Sequence, residues 1–542
     1  MKSSFDPLFH PYPSVRYPLY ASGGMVNCSS PQAAAAGLDI LKKGGNAMDA
    51  AVAAAAALTV VEPTANGIGG DAFALIWSEK EGRLFGLNSS GRAPALASPE
   101  RLKADGKDDN GKMPLFGWAA VTVPGAPKAW AELSRRFGRL SLSETLAPAV
   151  RYAREGYPCS PNLALMWQIS HQVYSKKRTA PCFAEWFRTF APENRAYEAG
   201  ELIRLPHHAD TLEEIGRTNA DSFYTGELAR RIDADSKKYD GYLRYEDLAA
   251  HKADWVEPLR LSYRGYEVCE IPPNGQGIVA LMALNILKEF DFPAKESTET
   301  VHRQIEALKL AFADAFHYVT DPASMELDYH LLLTPEYGAT RAAEIGPTAR
   351  SRQFGTPSRS GTVYLCCADG EGNMVSFIQS NYKGFGSGIV IRDSGIALQN
   401  RGMEFSLDPS AANCLKPGKR TYHTSIPGFL MKDGLPVGPF GVMGGYMQPQ
   451  GHLQVVMNYI DFKLNPQQAL DAPRWQWYPG DTVTVEPGFD PKLVRELAAR
   501  GHRIQTDPAY YTFGRGQMIV RLDNGVLVGG TESRTDSSIA CF

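Results

Sequence analysis

The sequence has no apolar run long enough to cross a bilayer and no cysteine pattern typical of a disulfide framework. Its longest apolar stretch, residues 50–61, is alanine-rich and falls short of the roughly 20 residues that a membrane helix needs. The eight cysteines contain no CxxC pair, so we expect buried reduced thiols. The N-terminal segment lacks the apolar core of a secretory signal and is broken by prolines. We therefore expect a cytoplasmic protein with no membrane partner.

The charge balance and the histidines exclude further classes of partner. A net charge of −3 over 542 residues gives no reason to expect nucleic acid. The eleven histidines are scattered without a metal-ligand spacing, so we expect no metal. The glycine loop of residues 67–70 follows a predicted helix and precedes a predicted strand, which is the reverse of the order in a pyrophosphate-binding loop. We expect no cofactor.

Clear stop and start signals divide the first part of the chain. Ser30-Pro31 predicts the start of a helix, and Gly44-Gly45 its end. Asn46 is the predicted N-cap of a second, alanine-rich helix over residues 47–60. Its small side chains allow close packing against a sheet or another helix. A strand is predicted over residues 72–77.

Residues 345–361 change the character of the chain. They are polar, basic and rich in glycine, proline and serine, which predicts an exposed linker. Two strands are predicted next, over residues 362–368 and 373–380, joined by a turn at residues 369–372. Cys366 and Cys367 should then point to opposite faces of the first strand and not pair with each other.

A threonine at this junction has a specific chemical use. If the chain is cut before Thr362, one residue carries both a hydroxyl nucleophile and an α-amine. That amine titrates at about 7.7–8.0 when unperturbed and can serve as the general base. The same hydroxyl can first attack the carbonyl of Gly361, which lacks a Cβ and tolerates a distorted backbone. The alternative is an ordinary glycine-threonine step at the start of a strand, which is the commoner meaning of this pattern.

Ordered motifs along nearly the whole chain resemble the γ-glutamyltransferase family of N-terminal-nucleophile hydrolases. The stretch TVYLCCADGEGNMVSF is similar to the start of that family's small subunit, with Thr362 at the catalytic threonine. The other matching segments, in chain order, are GGNAMDAAVAAA (44–55), VEPTANGIGGDAF (61–73), TVPGAP (122–127), IPPNGQGI (271–278), FADAFHYVTDP (312–322), DAPRW (471–475) and the terminal TESRTDSSIACF.

The resemblance implies a fold and a division of the chain. The expected fold is a four-layer αββα sandwich of the α+β class. Residues 1–361 would form a large subunit and residues 362–542 a small one, together making one αββα unit. An oligomer of this two-subunit unit is left open.

The resemblance also assigns the catalytic roles. Thr362 would be the nucleophile, and the backbone N–H groups of Gly444 and Gly445 would form the oxyanion hole. A plain turn between a strand and a helix is the alternative for these glycines. Ser380 would support the nucleophile. Asn381 would touch the substrate, although a one-residue offset leaves Tyr382 as the alternative.

Departures from the family pattern concern the substrate. Arg92 is displaced by about two positions from the family's carboxylate-binding arginine. Arg401 replaces an amide, Glu404 replaces an aspartate, and His423-Thr424 replaces a serine pair. The added positive charge and donors suit a small anionic acyl group, since arginine binds carboxylates bidentately. The alternative is that Arg92 and Arg401 form structural salt bridges.

With these departures, the sequence resembles the acylase and amidohydrolase branch of the family. We expect hydrolysis of a small anionic amide through an acyl-enzyme ester. The specific substrate we expect is oxamate, which would give oxalate and ammonia, a reaction of purine-nitrogen use. Hydrolysis or transfer of γ-glutamyl groups from glutathione is the alternative within enzymes, and β-lactam acylase activity would be promiscuous. An unprocessed, non-catalytic binding protein is the alternative of another class.

Intact-mass analysis tests the expected cleavage. Wild type should appear as two chains, one of which begins at Thr362, because the threonine hydroxyl opens the preceding peptide bond. Thr362→Ala should remain one inactive chain. A mature wild-type preparation that stays a single chain of 542 residues would favour the non-catalytic alternative.

Overall fold

The computed structural model describes residues 6–8, 14–351, 362–478 and 482–542. Its strands are β1 Leu19–Ala21, β2 Gly24–Cys28, β3 Asp71–Ser78, β4 Arg83–Asn88, β5 Tyr157–Pro158, β6 Leu202–Ile203, β7 Asp254–Val256, β8 Leu259–Tyr263, β9 Tyr266–Glu270, β10 Val363–Asp369, β11 Met374–Ser380, β12 Gly428–Lys432, β13 Leu435–Met443, β14 Trp475–Trp477, β15 Thr482–Val485, β16 Arg503–Thr506, β17 Arg515–Arg521, β18 Leu527–Thr531 and β19 Ser538–Cys541. Its helices are α1 Pro31–Lys42, α2 Ala47–Val61, α3 Pro99–Ala104, α4 Ala126–Phe137, α5 Leu142–Glu155, α6 Pro161–Ser175, α7 Ala184–Phe190, α8 Pro206–Thr218, α9 Asp221–Tyr224, α10 Glu227–Lys238, α11 Tyr245–Ala249, α12 Gly277–Leu287, α13 Thr298–Tyr318, α14 Pro335–Ala342, α15 Met447–Ile460, α16 Pro466–Asp471 and α17 Pro491–Ala499.

Two seven-stranded antiparallel sheets form the centre of the molecule. Sheet I has the order β19-β2-β10-β11-β3-β4-β7, and sheet II the order β1-β18-β17-β13-β12-β9-β8. Residues on both sides of position 361 contribute strands to each sheet. The two halves of the chain are therefore interleaved in one unit.

The inner faces of the sheets share one apolar layer. Tyr364 and Cys366 of β10 lie in it with Phe429 and Ile519 of sheet II. The alternate residues of β10, including Cys367, face the helices instead. The two neighbouring cysteines thus point to opposite faces of the strand, as predicted, and both are free thiols.

Helices cover the outer faces. α1, α2 and α4 pack on sheet I, whereas α12, α15 and α16 pack on sheet II. The order of layers is helix, sheet, sheet, helix, which confirms the expected four-layer αββα sandwich. None of the helices in the described ranges combines the length and the apolar character that crossing a membrane requires.

The alanine-rich helix shows how sequence determines this packing. All fifteen residues of α2 are buried, and it lies against β10, β11, α1 and α5. Asn46 accepts hydrogen bonds from the N–H groups of Met48 and Asp49, and the Asp49 side chain accepts one from Asn46 N–H, which completes a capping box. Alanine side chains let the helix approach the two central strands closely. The predicted helix and its cap are confirmed.

Candidate active site

Thr362 lies at the entrance of β10, between the two sheets. Val363 pairs with Gln379, so Thr362 stands opposite Ser380 at the end of β11. Side chains alternate along a strand, so Thr362 shares the inward face with Tyr364. The side chain of Thr362 is fully buried, and its Oγ1 lies 3.0 Å from Ser380 Oγ.

Ser380 is held by the residue that turns the chain. Tyr382 N–H donates to Ser380 Oγ at 2.7 Å. Tyr382 has a φ of 77°, a left-handed conformation that costs a non-glycine residue about 1–3 kcal/mol. Such strain persists where surrounding contacts impose it. The turn after β11 therefore fixes the hydroxyl beside Thr362.

Asp71 continues this polar row into the next strand. It pairs with Ser380 across β11 and β3. The glycine loop before it passes so close that a Cβ on Gly70 would lie 2.5 Å from Ser380 O. Asp71 Oδ1 accepts hydrogen bonds from Gly91 N–H and Gln399 Nε2, each at 2.9 Å. Burial raises the pKa of Asp71 to about 6, despite the bond from Gln399.

His423 uses both ring nitrogens within the protein. Its Nδ1 accepts from Ser425 N–H at 3.1 Å, so its Nε2 carries the proton and donates to Asp71 Oδ2 at 3.2 Å. Burial, reinforced by the charges of Arg401 and Arg420, holds the pKa of His423 well below its usual value. The imidazole is therefore a neutral support for Asp71.

Arg401 brings a charge to this buried site. Its Nη1 donates to Thr424 Oγ1 at 2.9 Å, and its guanidinium lies 4.0 Å from the ring centroid of Tyr382. Arg401 is fully buried, yet its Nε and Nη2 have no hydrogen-bond partner among the described residues. Asn381 is also buried, with both amide atoms unpartnered within those ranges. Within the described residues, these polar atoms are therefore buried without partners.

The contacts close into a circuit. Thr362 meets Ser380, Ser380 meets Tyr382, Tyr382 meets Arg401, and Arg401 meets Thr424 next to His423. His423 then meets Asp71, which pairs with Ser380. The fold thus brings most of the residues singled out from the sequence into one place.

Glu404 is connected to this circuit through hydrogen bonds from two tyrosine hydroxyl groups. Both of its carboxylate oxygens accept hydrogen bonds, one from Tyr382 OH and one from Tyr446 OH. Lys383 lies nearby, 5.1 Å from the Tyr382 ring centroid, and burial lowers its pKa to about 8.

Four residues of the site escaped the sequence analysis: Asp71, Lys383, Gln399 and Tyr446. Asp71 stands within the quoted motif GIGGDAF, which was the available signal. Lys383 follows Tyr382, and Gln399 lies two positions before Arg401, but closeness in the sequence alone assigns no role. Tyr446 follows the two glycines expected to bind the oxyanion, and its contact with Glu404 emerges only from the fold.

Gly444 and Gly445 follow β13 and precede α15, with φ values of 141° and 63°. Gln276 Nε2 donates to Gly445 O and to Thr424 O, each at 2.8 Å. The end of β13 lies over the start of β10, because a Cβ on Gly441 would meet the Tyr364 ring at 2.5 Å. The glycine turn therefore follows the end of a strand that packs against β10.

Arg92 lies apart from this circuit. The Arg92 side chain is 45% exposed and contacts Asp321 at 3.2 Å and Gly418 O at 3.1 Å. No described contact joins it to the circuit. Gly361 lies outside the described residues, so the cleavage site is described only from Thr362 onward.

A separate cluster of side chains of the kind that bind metal ions lies outside this circuit. His302, Glu306 and His502 are buried, with ligand atoms within 4.8 Å of one another. His302 Nδ1 lies 2.8 Å from His502 Nε2, and Glu306 is paired with Lys309 at 2.8 Å. The cluster is held by its own hydrogen bond and ion pair. The sequence showed no such grouping because His502 lies 200 positions beyond His302.

Comparisons with known proteins agree with this geometry. The family model for gamma-glutamyltranspeptidase matches residues 33–542. The chain is 37% identical over 517 residues to the glutathione hydrolase-like YwrD proenzyme of Bacillus subtilis, covering 93% of this chain and 96% of that protein. It is 35% identical over 533 residues to the oxamate amidohydrolase proenzyme of Klebsiella pneumoniae, covering 96% and 98%.

A solved structure is similar over the whole chain. The crystal structure of cephalosporin acylase from Bacillus halodurans matches with a TM-score of 0.96 and 56% identity, covering 100% of this chain and 99% of that one. Family match, relatives and fold lead to one conclusion. The chain belongs to the gamma-glutamyltranspeptidase family and is an amidohydrolase of the N-terminal-nucleophile type.

Proposed function

We propose that the chain is a self-cleaving proenzyme whose mature form hydrolyses amides of small acyl groups that carry a carboxylate, with oxamate as the smallest substrate. Thr362 is the nucleophile, and the cut falls between Gly361 and Thr362. The fragments 1–361 and 362–542 stay together because both contribute strands to both sheets. The similarity to relatives named as proenzymes supports cleavage.

The reaction needs only groups of the chain and water. Thr362 Oγ attacks the amide carbonyl and passes its proton to its own α-amine, while Gly444 and Gly445 N–H groups stabilise the oxyanion. The ammonium group then protonates the leaving amine, which departs and leaves an ester. Water attacks the ester with the α-amine again as base, and the acid is released. With oxamate the products are oxalate and ammonia. Ser380 orients the nucleophile at 3.0 Å.

The observation that carries the proposal is the buried guanidinium of Arg401. Its Nε and Nη2 have no hydrogen-bond partner within the described ranges. An unsatisfied buried donor costs about 1–3 kcal/mol, and more when it is charged. A substrate carboxylate would satisfy both donors at once. The free amide of Asn381 adds further donor and acceptor capacity at the same place.

The state of Glu404 disfavours a γ-glutamyl substrate. An α-ammonium group needs a free carboxylate or several acceptors. Both oxygens of Glu404 already accept from tyrosine hydroxyls, and Arg401 replaces a neutral amide. A γ-glutamyl head would therefore bring its ammonium group toward positive charge. An acyl group with a carboxylate and no amine avoids this repulsion.

A matched set of substrates tests the proposal. Glutaryl-p-nitroanilide and γ-glutamyl-p-nitroanilide differ by a single α-amino group, and oxamate is followed by ammonia release. We expect oxamate and the glutaryl amide to be hydrolysed with higher kcat/KM than the γ-glutamyl amide. Thr362→Ala serves as the blank. Turnover of the γ-glutamyl amide alone would identify a γ-glutamyl enzyme instead.

Arg401→Gln should lower kcat/KM for the glutaryl amide by about 10–100-fold, because a charge-assisted pair with the substrate carboxylate is lost. Arg401→Lys keeps the charge and should recover part of this loss. A butyryl amide lacks the carboxylate and should respond little to either change. Equal losses for both amides would show that Arg401 is structural.

The pH profile identifies the base. Because the α-amine must be deprotonated, kcat/KM should fall as the pH drops below its pKa, about 8 if unperturbed. His423 is already neutral across this range, since its pKa is held well below the usual value. His423→Gln keeps a donor toward Asp71 and should leave this acidic limb in place. A limb displaced by about one pH unit would show that His423 titrates with the reaction.

A further inference from the structure

The turn at Gly444 and Gly445 is supported from behind by the loop that ends at Gly514, where β17 begins. A Cβ on Gly444 would lie 3.1 Å from Gly514 Cα. A Cβ on Gly514 would lie 2.8 Å from Met443 O, and Gly514 has a φ of 76°. The two backbones are therefore in direct contact. Glycine is flexible, so the shape of the turn depends on what holds this loop.

Arg474 holds the loop by its carbonyl groups. Its Nη1 donates to Phe513 O at 3.1 Å and to Gly514 O at 3.0 Å. Its Nη2 donates to Leu470 O at 3.0 Å and to Glu532 Oε2 at 2.9 Å. Arg474 is 2% exposed, so these bonds are formed away from solvent.

Glu532 holds the same loop by an amide. Gly516 N–H donates to Glu532 Oε2 at 2.7 Å. Burial alone would raise the pKa of Glu532, but the charges of Arg474 and Arg534 bring it to about 2. The carboxylate thus stays charged, and the Arg474–Glu532 pair fixes the end of the loop at Phe513 and Gly514 together with the start of β17 at Gly516.

We propose that Arg474 and Glu532 are positioning residues that keep the Gly444–Gly445 N–H groups aimed at the developing oxyanion. This inference rests on the proposed role of those two glycines. No contact between the described residues joins either side chain to the circuit around Thr362; they act through Phe513, Gly514 and the turn. Preorganised donors stabilise a transition state because they need no reorganisation during the reaction. Gln276 holds the other side of the turn through Gly445 O at 2.8 Å.

The test uses Arg534 as a matched control. Arg534 also bonds to Glu532, at 2.7 Å, and is 7% exposed. Among the described residues, however, its other hydrogen-bond partners are Glu486, Leu470 and Ala472 and not the loop. Arg474→Lys and Arg534→Lys should lower the thermal midpoint similarly. Only Arg474→Lys should lower kcat, by about 10-fold or more, on whichever amide the wild type hydrolyses. KM should change less than about threefold.

A second pair of variants avoids the buried charges. Gly514→Ala places a methyl group against Met443 O. Gly525 has a similar φ of 84°, but a Cβ added there would have no neighbouring atom within 4 Å, so Gly525→Ala is the matched control. The first should lower kcat and the second should not. Equal kcat values within either pair would overturn the inference. Activity retained by Thr362→Ala would count against the proposed nucleophile instead. The ratio of kcat values within each pair of variants would still test the positioning role.

Discussion

The antiparallel pairing of β10 with β11 determines where the hydroxyl group of Thr362 lies. Val363 opposite Gln379 places Thr362 opposite Ser380, and Ser380 in turn pairs with Asp71 of β3. A shift of one residue would turn Thr362 toward the helices and bring Val363 between the sheets. Neighbouring strands on both sides of β10 prevent such a shift. The row formed by Thr362, Ser380 and Asp71 therefore depends on a register that extends through sheet I.

Burying a polar group costs free energy unless it is hydrogen-bonded, and the buried polar groups of this site differ in how fully they are bonded. Asp71 and His423 satisfy each other and take further bonds from the backbone. Arg401 and Asn381 keep unpartnered atoms within the described residues. The apolar layer between the sheets and the all-buried α2 supply the stability that tolerates these open groups. Asp71 and His423 are thus saturated, whereas Arg401 and Asn381, which are proposed to meet the substrate, are not.

The sequence predicted those features that depend on residues close together in the chain. The cap at Asn46, the alanine face of α2 and the turn between β10 and β11 all followed from neighbouring residues. Contacts between residues that are distant in the sequence could not be predicted in this way. Arg92 was grouped with Arg401 because both add charge, yet its loop turns it toward Asp321 and solvent. His423 was expected to touch substrate, whereas both its ring nitrogens bond to the protein. Asp321 lies 229 positions from Arg92, and Asp71 lies 352 positions from His423.

The nucleophile and the substrate pocket obey different constraints. A threonine with its own amine can open any amide whose carbonyl reaches it, so this chemistry says little about the acyl group. Selection then depends on charge around the acyl head. Arg401 and Lys383 contribute positive charge, while Glu404 is occupied by two tyrosine hydroxyls. An ammonium group would meet repulsion with no free counter-charge, whereas a carboxylate would satisfy donors that are otherwise unpaired. Under the proposed function, exclusion of the amine and attraction of the carboxylate would therefore arise from the same few residues.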